Sequence, residues 1–176
     1  MLIDLVRMVR ANKDLKWDEY IRPEDWDIIN SIILPATWYP FGFYARLGWA
    51  SFKLVGSGDL EMARAYGQMM AQKLFETTYK SMVKTKDPNL SLRKFVITYG
   101  AFFNFSSLKF EKVDIKKVKI HHDYSAVDRN NVPYCHQLLG MFEKLVEMTG
   151  GRNCKVVFLA KQWDGAPATT FGIIWD

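Results

Sequence analysis

Cysteine and histidine are scarce in this chain, with two of the first and three of the second among 176 residues. There is no CxxC pair and no HExxH run, so the spacings that build zinc sites are missing. Two cysteines, Cys135 and Cys154, are also too few to staple a secreted scaffold. No apolar run approaches the ~20 residues that a membrane-spanning helix needs, and no charged-then-apolar leader opens the chain. A cytoplasmic protein without a membrane span is therefore expected. Gly56 and Gly58 are not followed by Gly-Lys-Ser/Thr, which removes a phosphate loop and leaves a helix stop. Zinc-finger spacings, recognition-helix signatures and RNA-binding aromatic motifs are lacking too, so a nucleic-acid partner is not expected.

Aromatic residues, by contrast, are plentiful, at 15% of the chain, with six Trp and twelve Phe. Large rings bury well but pack irregularly, and the gaps they leave suit a ligand. A hydrophobic share of 49% and a charged share of 24% are those of an ordinary globular chain, and 176 residues suit one domain with one sizeable core. The net charge is +5. Its densest source is "LKFEKVDIKKVKIHH", Leu108 to His122, where lysines alternate with Val and Ile as on the wet face of a sheet or along a guarded edge strand.

The organisation reads as α+β: a helical N-terminal half, residues 1–104, packed on a small antiparallel sheet formed by the C-terminal half, residues 105–176. The first helix is Met1 to Ala11, with apolar residues at Leu2, Leu5, Val6 and Val9. Pro23-Glu24-Asp25 opens a second helix running to about Leu34, with proline in the first turn and acids at the positive end of the dipole. Pro35 and Pro40 bracket a rigid corner carrying Trp38 and Tyr39, and a helix follows from about Phe41 to Val55. Asp59 is placed to cap a long helix from about Leu60 to Val83, with Ala63, Tyr66, Met70 and Leu74 in one stripe and Met62 and Met69 beside it. "KTKDPNL" breaks the chain before a helix from about Asn89 to Phe103. Leu108 to Tyr124 then reads as one or two strands and "DRNNVP" as a loop. Val132 to Thr149 is an amphipathic helix with Cys135, Leu138, Leu139, Phe142, Leu145 and Val146 inward and Glu143, Lys144 and Glu147 outward. "NCKVVFLAKQ" and "ATTFGIIWD" form a hairpin around Asp164 to Pro167. Both alternating sets of its first strand, Val156/Phe158 and Val157/Leu159, are apolar, so cover on both faces is expected.

The reactive residue types do not assemble into a catalytic set. Adjacent strand histidines point to opposite faces, so His121 and Asp123 could share an ion that His122 could not join, and two ligands hold no metal firmly. Cys135 and His136 are neighbours on a helix and diverge by about 100 degrees, which is no nucleophile and base geometry. Cys135 belongs to the apolar stripe, whereas His136 and Gly140 lie together on its other edge. A mid-helix glycine costs roughly 1 kcal/mol against alanine, so Gly140 is expected to admit a close contact, with another element or with a second subunit. His136 and Gly140 are thus the candidate homodimer interface. No catalytic residue and no metal ligand is assigned.

"TWYP", "AYGQMMAQ", "ITYGAFFNF", "CHQLLGMFEKLVEMTGG" and the terminal "FGIIWD" together resemble the uncharacterised paralogous family expanded in myxobacteria and their relatives. That family is similar to the 4-vinyl reductase-like, haem-NO-sensor-like ligand-binding fold. The resemblance runs from about Pro35 to Asp176. It implies an antiparallel sheet packed against helices, a pocket, often a homodimer or a sensory partner, and no established activity. Such domains often carry cysteine just before the last strand, where this chain has Thr169 and Thr170. Haem ligation would need a histidine on a pocket-facing helix, and His136, the only helical one, stands on the polar edge. The expected function is a non-enzymatic sensory domain binding a hydrophobic small molecule, with Trp38, Tyr39, Tyr66, Met70, Tyr99 and Phe103 lining an apolar pocket. The alternative is a dimeric interaction or scaffolding domain without a ligand.

Overall fold

The computed structural model describes residues 2–35, 37–103, 108–123 and 131–176. The chain divides into two compact units, Met1–Ala63 and Arg64–Asp176. The first is helical: α1 is Leu2–Ala11, a 3-10 turn covers Trp17–Glu19, α2 is Pro23–Asn30 and α3 is Phe41–Leu54. Their apolar stripes converge on a core of Leu5, Val6, Val9, Trp17, Ile21, Ile29, Phe43, Leu47 and Ala50. Asp25 is buried at the start of α2, where Arg46 from α3 grips it through Nε at 2.8 Å and Nη2 at 2.6 Å, and the Arg22 amide donates to it at 2.9 Å. Burial alone would raise the Asp25 carboxyl, but the Arg46 guanidinium and the Arg22 amide more than offset it and hold it below its usual value. The expected second helix ran to Leu34, whereas α2 stops at Asn30. Arg10 donates to the carbonyls of Ile29 and Ser31, and the Ser31 hydroxyl to that of Ile28, which satisfies the helix end where it stands.

Helix α4, Leu60–Glu76, leads into the second unit, followed by α5 at Lys80–Val83 and α6 at Pro88–Thr98, which a 3-10 turn at Tyr99–Ala101 extends. Asp59 caps α4 by accepting from the Glu61 amide at 2.8 Å, and Asp87 caps α6 by accepting from Leu90 at 3.1 Å. The expected single helix to Val83 is interrupted after Glu76. Thr77 returns its hydroxyl to the Lys73 carbonyl, and the Thr78 and Tyr79 amides both converge on Leu74, so the ladder ends there.

Four antiparallel strands complete the unit: β1 Leu108–Asp114, β2 Lys117–His122, β3 Lys155–Ala160 and β4 Thr169–Ile174, in the order β1-β2-β4-β3. The α+β class is as the sequence implies. The long helix α7, Asn131–Met148, packs against β3, β4 and α6, and α6 packs against β1. The helix therefore starts inside the expected "DRNNVP" loop, whose residues 128–130, like Tyr124, lie outside the described residues. One face of the sheet carries Leu108, Val118, Ile120, His122, Val156, Thr169, Phe171 and Ile173, all buried. The other carries Glu111, Lys119, His121, Thr170 and Val157. Cover on both faces of β3 is not found, because Val157 and Leu159 are 52% and 54% exposed.

Small residues set how α4 and α7 meet. The buried face of α4 in this unit is Gly67, Ala71 and Phe75, one position round from the expected Tyr66, Met70 and Leu74, which are only half-buried. Met62 and Met69 are exposed. A Cβ on Gly67 would fall 2.0 Å from the Gln137 carbonyl oxygen of α7, and one on Gly140 would fall 2.0 Å from the Arg64 carbonyl oxygen of α4. Backbone therefore meets backbone at two reciprocal glycines, which no side chain longer than hydrogen allows.

Candidate functional site

The C-terminal unit buries an aromatic and polar cluster where α6, β2, β4 and α7 meet. Alternation along β2 turns His122 inward with Val118 and Ile120, and the α7 stripe turns Cys135 toward it. The His122 ring lies between Tyr99 and Tyr134, with centroids 6.3 and 5.9 Å away, and its Nδ1 is 3.9 Å from Cys135 Sγ. Tyr99 and Tyr134 share a hydroxyl hydrogen bond of 2.6 Å, and Phe103 sits 5.0 Å from the Tyr99 ring. Further in, Phe95, Phe142, Phe171 and Phe158 continue the network edge to face or tilted. Thr169, also sealed from solvent, accepts from the Gln162 amide at 3.2 Å.

Electrostatics make this cluster neutral. Burial pushes the His122 imidazole down to about 4, against a partial opposing pull from Asp123, and pushes the Cys135 thiol up to about 12. Both groups are 0% exposed. A thiol and an imidazole that each avoid charge form no thiolate and imidazolium pair, so Cys135 acts as a polarisable packing group rather than a nucleophile.

Across the sheet His121 faces outward and bridges two strands. Its Nδ1 is 3.0 Å from the Thr170 hydroxyl and its Nε2 is 2.9 Å from Glu111, which also receives Lys119 at 3.1 Å. The hydrogen bond from His121, then that from Lys119, lowers the Glu111 carboxyl. Hydroxyl, imidazole and carboxylate stand in the order of a catalytic relay, yet they occupy an open sheet face, with His121 directly opposite Thr170 and diagonal to Glu111, rather than a cleft. No group of three metal-ligating side chains occurs among the described residues.

Beside the α4–α7 crossing, Arg64 donates to Glu143 through Nε at 3.0 Å and Nη2 at 2.5 Å, and Gln68 adds a bond at 3.0 Å. These residues, with Glu147, Gly150 to Asn153 and Cys154, line a polar groove of about 750 Å³. Burial, then the Glu143 charge, pushes the Cys154 thiol up to about 12, so it too is unreactive. Glu143, expected to face outward, is instead buried, with Arg64 and Gln68 holding its carboxylate.

Of the six expected pocket residues, Tyr99 and Phe103 are brought together in the cluster. Tyr66 and Met70 lie half-buried on α4, while Trp38 and Tyr39 belong to the N-terminal unit. Trp38 is exposed, and the Tyr39 hydroxyl accepts from the Leu34 amide of its own corner. His136 packs its ring 5.1 Å from Phe158 of β3, and the close approach expected at Gly140 is made to the Arg64 carbonyl of α4. Sequence reasoning passed over His122 and Tyr134. The alternation of β2 and the position of Tyr134 one turn before Leu138 were the signals for both.

No family model matches the chain, and no curated protein matches it. Solved structures do. The chain is similar to a Fe(II) unliganded H-NOX protein from K. algicida, at 11% identity and a TM-score of 0.65 over 99% of this chain and 94% of that one. It is similar to an H-NOX protein from S. oneidensis in the Fe(II)NO state, at 10% identity and a TM-score of 0.61 over 98% of both chains. A third match is an oxygen-binding H-NOX domain related to soluble guanylate cyclases, at 12% identity and a TM-score of 0.60 over 98% of this chain and 91% of that chain. The fold is thus that of the H-NOX domains, a haem-NO-sensor-like α+β fold.

Proposed function

We propose that this chain is a non-enzymatic sensory domain that binds a small apolar molecule, and that it does so without haem. The observation that carries this reading is the H-NOX likeness over 98–99% of the chain, since one matched protein is in the Fe(II)NO ligation state and another is an oxygen-binding domain. The same span supports reading residues 1–176 as one domain.

Haem is the group this fold implies, and the residues present do not fit it. Haem iron needs an axial side chain that can reach it, most often a neutral histidine. All three histidines lie at or beyond residue 121, so α1 to α6 contain none. His121 is held by Thr170 and Glu111 at its two nitrogens. His122 is neutral but sealed between two tyrosines, and Cys135 is sealed with it. His136 rests on Phe158.

The ligand contacts proposed are Tyr99 and Phe103, joined by Tyr134, with Tyr66 and Met70 as further contributors from α4. Rings and phenol hydroxyls suit a mostly apolar molecule with one or two polar atoms. Native mass spectrometry of the purified protein tests this directly. A retained small molecule, no Soret absorbance after incubation with haemin, and a ligand-dependent thermal shift that Phe103→Ala weakens are expected. A Soret band that a His136→Ala or His122→Ala variant abolishes would show haem binding instead, and a protein that neither retains a ligand nor shifts with one would leave only a scaffold.

A further inference from the structure

We propose that the tip of the β1–β2 hairpin, with the basic end of the sheet around it, docks on an anionic lipid bilayer, the tip inserting Ile115 and Val113 while lysines meet the headgroups. This goes beyond the ligand reading and stands without it.

The tip is bare and aliphatic. Residues 111–117 are all exposed, Ile115 at 72% and Val113 at 43%. Ile115 and Lys116 form the turn that joins β1 to β2, and Val113 lies where the register shifts between Lys112 and Asp114. Tight turns favour Gly, Pro, Asn, Asp and Ser, so turn geometry does not account for the isoleucine. Three hydrogen bonds hold the tip in place. Asp114 Oδ1 accepts from the Ile115 amide at 2.7 Å, the Asn89 side chain at the start of α6 donates to the Ile115 carbonyl, and the Trp175 amide donates to the Lys116 carbonyl at 3.2 Å. A turn pinned in this way presents its aliphatic side chains with little backbone freedom left to lose on insertion.

Charge selects the occupant. Residues 64–176 hold 17 of the 24 Lys and Arg but 10 of the 19 Asp and Glu, so the basic excess of the chain belongs to this unit. Lys112, Lys116 and Lys117 flank the tip. At the same end of the sheet Lys155 stands in the row Lys117, Ile174, Lys155, Arg152 pairs its backbone with Asp176, and Lys86 reaches the Met148 carbonyl where α7 stops. None of these six cations is in an ion pair among the described residues. Three acids share that end, each accepting from an amide: Asp114, opposite Lys117, from Ile115, Asp87 from Leu90, and Asp176 from the Asn153 side chain. Glu147, on the last turns of α7, is matched by Lys144. Six cations against three carboxylates therefore leave the end positive. Two aliphatic side chains alone would hold a bilayer weakly, and lysines alone would be screened by salt, but together they supply the two signals that stable interfacial binding requires. Nucleic acid would meet the charge, yet it offers Ile115 and Val113 nothing apolar, and the tip has no ring to stack on a base. A second copy would set lysines against lysines.

The test is co-sedimentation of the full chain with vesicles of phosphatidylserine and phosphatidylcholine, with vesicles of phosphatidylcholine alone as the reference. The parent should bind the anionic vesicles at least about tenfold more tightly than the neutral ones, and most of that binding should vanish as salt rises from about 0.1 to about 0.5 M. Lys116→Gln/Lys117→Gln should weaken it at least about tenfold, and Ile115→Ser at least about threefold. These positions are exposed, so the variants should keep the parent's circular dichroism and melting temperature, and Val113→Ser replaces Ile115→Ser if that one does not. Three results would overturn the proposal: no binding to either vesicle, equal binding to both, or an Ile115→Ser variant that binds like the parent, which would mean that nothing inserts. Duplex DNA or poly-glutamate held through Lys116 and Lys117 by a chain that ignores the vesicles would assign the end to another polyanion and overturn it equally.

Discussion

His121 and His122 are adjacent in sequence and occupy opposite sides of one sheet. The outward ring is wet and bridges Thr170 to Glu111, while the inward ring is dry, ringed by tyrosines, and driven neutral by burial. A rotation of one strand residue turns the same side chain from a surface bridge into a core group, because successive strand residues point to opposite faces. The two faces should accordingly answer perturbation very differently.

The largest contrast is expected between neighbours on β4. Phe171, fully buried against Phe142 and Phe158, should cost about 3–5 kcal/mol when changed to alanine, whereas Thr170→Ala on the other face should stay within about 0.5 kcal/mol. Chemical denaturation measures both, and comparable losses would remove the distinction between the faces.

Acid separates the two histidines next. His122 titrates near 6.5 when unfolded and near 4 when folded, so the unfolded state takes up the proton first. Its contribution is fully present above about pH 6.5 and falls away as pH drops toward 4, by about 3 kcal/mol if the whole shift is realised. His122→Phe should flatten that part of the stability profile, and His121→Gln should leave it in place. A parent whose stability is constant from pH 7 to pH 4.5 would mean that His122 is not sealed.

The α4–α7 crossing that supports the inner face is the third point of attack. Gly140→Ala improves helix propensity yet sets a methyl against the Arg64 carbonyl, so a net loss of about 1–3 kcal/mol is expected. A more stable variant would show that the helices part easily. Smallest of all, Val157→Thr on the outer face should change stability by less than about 0.5 kcal/mol, while a loss of several times that would mean that Val157 is core.

Much of this was legible in local pattern. The apolar rhythms of α1, α3 and α7, the cap at Asp59, the hairpin of β3 and β4 and the opposite facing of His121 and His122 all follow from periods of 3.6 and 2 and from cap chemistry, which act over a few residues. The α+β class followed from their order. The inertness of Cys135 was likewise implied by its place in the α7 stripe.

Other features needed contacts far apart in sequence. The one-position turn of the α4 face goes with where α7 presses its backbone, which Gly67 and Gly140 permit but do not announce. The apolar residues Val157 and Leu159 read as covered on both faces, because composition reports what a strand would bury and not whether anything lies there. The joining of Tyr99, Phe103, His122 and Tyr134 into one sealed cluster, and the neutral state of its imidazole, came from residues dozens of positions apart meeting in a dry interior. By itself the sequence determined the helical stripes of α1 and α7 and the alternation of the strands; only the tertiary structure decided which face α4 buries, what each side chain meets and which face of the sheet stays bare, since solvent exclusion is a property of the packed whole.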